Sequence, residues 1–190
     1  NTLSSEYKGV IELPETWKGC RIVGENGKTL PVQLENGKLP TAVSLKGTSF
    51  SVIRREEKVE VYQPLPKNEL ILENSFIRYE FSETGKLISA VDKESGREFI
   101  SAPANVLSVY HDRSNCFDAW DIDIFYMQEK NADLTGEFSG SFSGPVRSGL
   151  KFTFHYGKST VHQLITLTPQ SRRLDFETSV SWHESHRMLR

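Results

Sequence analysis

The sequence predicts an all-β protein, and three observations carry that expectation. Apolar and polar residues alternate with period two along the chain, while helical periodicity is almost absent. Turn signals built on Gly or Asn separate the alternating runs at intervals of roughly ten residues, the spacing of a β-sandwich. No internal repeat of solenoid type is present.

The first elements are marked by two hairpin signals, Asn26-Gly27 and Asn36-Gly37. Both residue types tolerate the positive φ that a tight primed turn demands. They place a small, turn-rich β unit over residues 8–62. Its charged run Arg54-Arg55-Glu56-Glu57-Lys58 reads as a solvated edge, where charge discourages edge-to-edge pairing. Gln63-Pro64-Leu65-Pro66-Lys67-Asn68 follows as a boundary, because two prolines withhold backbone donors and hold the chain extended. The expected organisation is a small β domain at 1–63, a linker at 64–68 and a large β-sandwich at 69–190.

Within the sandwich, Ile77, Tyr79 and Phe81 alternate with Arg78 and Glu80, and Glu83-Thr84-Gly85 turns the chain into a strand at 87–91. Lys93-Glu94-Ser95-Gly96 supplies the next turn. Leu150, Phe152, Phe154 and Tyr156 alternate with Lys151, Thr153 and His155, Gly157-Lys158 turns, and 161–168 runs back. In the last run, Leu174, Phe176, Thr178, Val180 and Trp182 share one parity and Asp175, Glu177, Ser179, Ser181 and His183 the other. Successive side chains of a strand point to opposite faces, so a dry row and a wet row are expected. The sequence starts at Asn1 without an initiator methionine and ends at Arg190 inside this pattern. It is therefore expected to be a piece of a longer polypeptide, truncated on the C-terminal side of the sandwich.

A chain of 190 residues can bury a proper core without staples. Its 37% hydrophobic and 25% charged residues are those of a globular protein, not a disordered one. A formal net charge of −2 offers no field for a phosphate backbone, so no nucleic-acid partner is expected. No apolar run approaches the ~18 residues of a membrane helix, so no membrane partner is expected either. The two cysteines, Cys20 and Cys116, lie far apart and suit a reducing compartment, each read as a small buried hydrophobe.

Few constellations carry chemistry. His183-Glu184-Ser185-His186 resembles a zinc-protease motif but spaces its histidines wrongly and sets them in an extended context. The other histidines are scattered singly, and no metal site is expected. Asp175 and Glu177 share a face at roughly 6.5–7 Å by strand rise, a separation that could serve glycoside hydrolysis. Ser179 and Ser181 on the same parity make the wet face of a sheet the better reading. No nucleophile–base arrangement, phosphate loop or metal-spaced cysteine set is present, so no catalytic residue is assigned.

One stretch stands apart, CFDAWDIDIFY at 116–126. If it is extended, Asp121 and Asp123 face one way while Trp120 and Ile122 face the other. The carboxylates could hydrogen-bond sugar hydroxyls or a cation, and an exposed indole could stack on a pyranose. Equally, the stretch could be a loop entering a strand, with Trp120 as core filler and the acids solvated. The residues alone leave both readings open.

Several segments together resemble the β-rich C-terminal region of α-mannosidases of glycoside hydrolase family 38. They are Asp92-Lys93 with Gly96-Arg97-Glu98, Ala104-Asn105-Val106-Leu107, and Asp118-Ala119-Trp120-Asp121-Ile122-Asp123. Gly144-Pro145-Val146-Arg147, Ser171-Arg172-Arg173-Leu174-Asp175-Phe176-Glu177 and Trp182-His183-Glu184 complete the set. Their order and spacing carry the match over 69–190, and 10–62 is similar to the small β domain that precedes this region.

The resemblance implies a small β-sandwich-like domain followed by part of a large galactose-mutarotase-like β-sandwich. It implies a retaining α-mannosidase whose nucleophile, acid/base carboxylate and zinc lie on an N-terminal catalytic barrel absent from this sequence. That barrel and α-mannoside glycans would be the partners, no cofactor would sit in this piece, and alone it would be inactive. The Asp118–Asp123 segment falls on a loop that reaches the active-site rim, which implies substrate-binding roles for Trp120, Asp118 and Asp121. Other branches of the family carry a Tyr-containing segment where this chain has Trp120. The Asp-Ala-Trp-Asp version resembles the bacterial and cytosolic branch, implying a cytoplasmic protein. The rival expectation is a stand-alone carbohydrate-binding or mutarotase-like module, since a fold does not fix a function.

Overall fold

In the computed structural model, which describes residues 1–58, 62–117 and 120–190, the two halves of the chain build separate cores. The small half carries β1 (Tyr7–Leu13), β2 (Cys20–Val23), β3 (Leu39–Leu45) and β4 (Arg54–Lys58). β1 pairs antiparallel with β3, and β2 with β4. Asn36 and Gly37 both take positive φ (48° and 84°), and Glu35 and Lys38 exchange backbone bonds across them (2.9 and 2.8 Å). This is the geometry a two-residue primed turn requires. Leu13, Ile22 and Leu39 are buried beneath partly covered Ile11, Trp17, Leu30, Val32 and Ile53.

The large half contains β5 (Leu65–Lys67), β6 (Ile71–Glu73), β7 (Ile77–Phe81), β8 (Leu87–Asp92) and β9 (Ser108–His111). It continues with β10 (Lys130–Asp133), β11 (Gly136–Ser143), β12 (Ser148–Tyr156), β13 (Ser159–Leu167), β14 (Leu174–Ser181) and β15 (Arg187–Leu189). A three-stranded sheet β6-β7-β8 faces a five-stranded sheet ordered β14-β13-β12-β11-β5, and β10-β9-β15 forms a third. Ile77, Tyr79 and Phe81 from one sheet meet Leu150, Phe152, Phe154, Val161 and Ile165 from the other. These are the residues whose period-two spacing predicted a buried row, so the all-β sandwich stands. Each such side chain contributes ~1.5–3 kcal/mol by leaving water.

Three expectations change. The segment read as a linker at 64–68 contributes β5, which pairs with Ser141–Ser143 at the margin of the five-stranded sheet. Proline is compatible with a sheet edge because its missing donor faces away from the ladder. The predicted dry row of β14 lies on the core face, opposite Val161, Gln163, Ile165 and Leu167, yet Phe176 and Val180 are 43% and 48% exposed. β14 is the opposite margin of that sheet, and the facing sheet is two strands narrower. Cys116, expected inside, is exposed, while Cys20 is half-buried; both are free.

The halves are joined by a buried polar cluster. Gln33 accepts from the backbone N–H groups of Val146 and Arg147 (2.8 and 3.2 Å) and donates to the Arg147 carbonyl (3.1 Å). Gln33 also donates to Glu35, and Arg147 grips Glu35 through Nε (3.0 Å) and Nη2 (2.6 Å). Gly144 is required beside it: a β-carbon there would run into the Gln33 amide.

Candidate functional site

The connection between β9 and β10, residues 112–129, leaves the third sheet as a long loop. Its feet are fixed by backbone bonds: His111 N–H to Glu129 (3.0 Å) and Asp112 N–H to His186 (3.1 Å). At its far end the Phe117 carbonyl accepts from both Trp120 and Asp121 (2.7 and 2.9 Å), with Phe117 at φ 56°. Asp123 then caps a 3₁₀ turn, Ile124–Gln128, by accepting from the Phe125 N–H (2.9 Å). An Asp that bonds backbone two residues on favours such local turns over a ladder.

The strand parity considered for 120–126 therefore does not apply, because the chain here turns and coils. Trp120 is 91% exposed, so the core-filler reading fails. Asp121 is also exposed, beside Trp120 in the chain; Asp118 lies outside the described residues. Around Trp120 the loop exposes Phe117, Ile122, Ile124, Phe125 and Met127 as well. Such a concentration of large apolar side chains on one loop marks a surface built to meet something. An indole and carboxylates together offer an apolar platform and hydrogen-bond acceptors, the chemistry of a sugar-facing rim.

Sequence reasoning overlooked the loop's stalk. Asp112 Oδ1 and Ser114 Oγ are buried with no hydrogen-bond partner among the described residues. No periodicity or motif flagged them. Among the described residues no group of three or more His, Cys, Asp or Glu side chains could hold a metal ion, so the donors present do not fit a zinc centre. His183 instead pairs with Ser181 (2.9 Å), and His186 takes a positive φ of 52°.

The other segments singled out from the sequence spend their polar side chains on bonds within the fold. Asp92 accepts from the Ser95 N–H (2.9 Å) and hydroxyl (2.7 Å) and from Arg172 (2.8 Å). These bonds, Ser95 first and Arg172 next, hold its carboxyl down at about 2, against an ordinary 3.8. Glu98 accepts from Ser89 and the Ala90 N–H (2.6 and 2.7 Å), which lowers its pKa. Asn105 donates to Gly85 and Gln163 (2.8 and 2.7 Å). Trp182 stacks on Tyr156 at 5.9 Å, and Glu184 accepts from Lys158 and Ser159 across the β12–β13 turn. Asp175, bound to Arg173 (2.8 Å), stays on the polar face. Among the described residues of these segments, Trp120 is the large apolar side chain that stands furthest into solvent.

Residues 72–190 match the family described as "Glycosyl hydrolases family 38 C-terminal domain". Alpha-mannosidase G of Dictyostelium discoideum is 28% identical over the whole chain, which corresponds to 19% of that protein. Alpha-mannosidase 2C1 of Homo sapiens is 28% identical over 75% of the chain and 14% of its own length. The mouse protein of the same name is 28% identical over the whole chain and 18% of its length. The chain thus spans less than a fifth of the curated relatives it matches.

Proposed function

Because the chain belongs to the family of glycosyl hydrolases family 38 C-terminal domains, we propose that it is the non-catalytic β part of a retaining α-mannosidase. In this reading it braces a catalytic barrel supplied by the rest of the polypeptide and lends the 112–129 loop to the sugar subsite. The observation that carries it is the exposure of Trp120 at 91% on a loop whose feet are pinned to a sheet. Trp120 forms one wall of the mannose subsite, and Asp121 or Asp118 orients it or bonds a sugar hydroxyl. The α-mannoside is the substrate class, and the zinc belongs with the barrel, since no fitting donor set exists among the described residues here. Two free cysteines support a cytoplasmic setting. Among the described residues no helix is long and apolar enough to cross a membrane.

The test is Trp120→Ala in the full-length polypeptide. A lost stacking wall weakens substrate and transition state together, so kcat/KM on an aryl α-mannoside should fall ten- to a hundredfold, about 1.4–2.8 kcal/mol. The melting temperature should not move, because an exposed indole holds nothing together. Unchanged kinetics would sink the subsite role.

A further inference from the structure

We propose that Tyr126 is the positioning residue of the loop, and that its clamp by Tyr110 and Arg190 decides where Trp120 stands. The proposal deepens the sugar-subsite reading and rests on it. The loop is longer than connections that usually hold themselves, so something must order it. Among its described residues from 120 to 128, Asp123 and Tyr126 are half-buried and the rest are exposed. The Asp123 side chain bonds inside the 3₁₀ turn. Tyr126 reaches out of the loop.

Its ring meets Tyr110 of β9 edge-to-face, with centroids 5.4 Å apart and planes at 82°. The Arg190 guanidinium lies 5.8 Å from the Tyr126 ring centroid, and its Nη1 donates to the Tyr126 hydroxyl at 2.8 Å. Arg190 is held in turn by paired backbone bonds with Ser108 (2.7 and 2.8 Å). The ring is thus gripped by β9 and by the residue that follows the neighbouring β15, through one quadrupolar and one cationic contact. Both contacts are directional, so they set the rotation of the 3₁₀ turn as well as its distance from the sheet. The Glu129 N–H closes that turn on the Tyr126 carbonyl (2.9 Å), and the Tyr126 N–H closes on Asp123 (3.0 Å). A swing of Tyr126 therefore carries Asp123 and the segment back to Trp120 with it.

The experiment compares Tyr126→Leu, Arg190→Met and Tyr126→Phe in the full-length polypeptide. Chymotryptic cleavage after Phe117, Trp120 or Phe125 reports loop opening, and melting temperature controls for global damage. Cleavage tracks the population of the open form, so Tyr126→Leu should speed it about tenfold. Arg190→Met should give a smaller rise, and Tyr126→Phe, which keeps the ring, smaller still. KM for an aryl α-mannoside should rise about tenfold in Tyr126→Leu with kcat changed less, because a displaced wall loses uniform binding first. Cleavage equal to the parent's in both Tyr126→Leu and Arg190→Met overturns the proposal. Faster cleavage with unaltered kinetics supports the clamp and instead removes the sugar-facing role of the loop. Should Tyr126→Leu fail to fold, Arg190→Met against Tyr126→Phe gives the same decision.

Discussion

Asp92 shows how much a single side chain can do in a shallow turn. It closes the turn after β8 through Ser95 and ties that turn to Arg172, which precedes β14. With its carboxyl held at about 2 instead of 3.8, the folded state prefers the charged form more than the unfolded chain does. Its stabilisation is complete above pH 3.8 and fades as pH falls through about 2. Asp92→Asn should therefore lower the urea midpoint at pH 7, and the gap to the parent should close between pH 3.8 and about 2. A gap of constant size down that range would contradict the assignment. The two indoles make a second contrast at this scale. Trp182 is stacked on Tyr156 and donates to the Arg187 carbonyl (3.2 Å), whereas Trp120 stands in solvent. Trp182→Ala should cost about 2–3 kcal/mol in denaturant unfolding, below the range for full burial. Alternation placed Trp182 on a dry row but could not name Tyr156 as its partner, which comes from a strand distant in sequence.

Strands differ in value according to where the sheet puts them. Ile165 on β13 and Val180 on β14 both belong to rows that alternation marked as dry. Ile165 is fully covered, and Ile165→Ala should cost ~2–5 kcal/mol. Val180 is half exposed at the margin, and Val180→Ala should cost less than about 1 kcal/mol. Equal losses in urea titrations would mean that β14 is covered after all. Period-two spacing was legible for 77–81, 150–156 and 174–182 because it is a local property of the chain. Position within the sheet is not local, and so the exposure of Phe176 and the pairing of Leu65–Lys67 were not legible. At 116–128 the sequence singled out the stretch, but its described residues do not adopt the extended geometry considered for it. The Asp123 side chain turns the chain into a 3₁₀ coil, and parity has no meaning there. The role of Tyr126 was hidden for the same reason, since Tyr110 and Arg190 approach it only in the folded sheet.

Across the whole molecule, the contact between the halves rests on Gln33, Glu35 and Arg147. Glu35 and Arg147 side chains are 6% and 18% exposed. Glu35→Ala strands a nearly buried guanidinium and should cost about 3–5 kcal/mol, while Glu35→Leu with Arg147→Met should stay within about 1 kcal/mol of the parent. Calorimetry on the single variant should show the small half melting before the large one. An unaltered single transition would mean that the pair does not govern the docking. Elemental analysis of the chain after dialysis should find no stoichiometric zinc, and one tightly held ion per chain would overturn the placement of the metal elsewhere. Gln33 of the small half bonds Arg147 of the large half, and Glu35 pairs with the same arginine, so the described residues tie the two cores to each other through one short loop. The two halves should then undergo rotational diffusion under one common tensor, and nuclear spin relaxation giving different correlation times for the two would contradict that coupling.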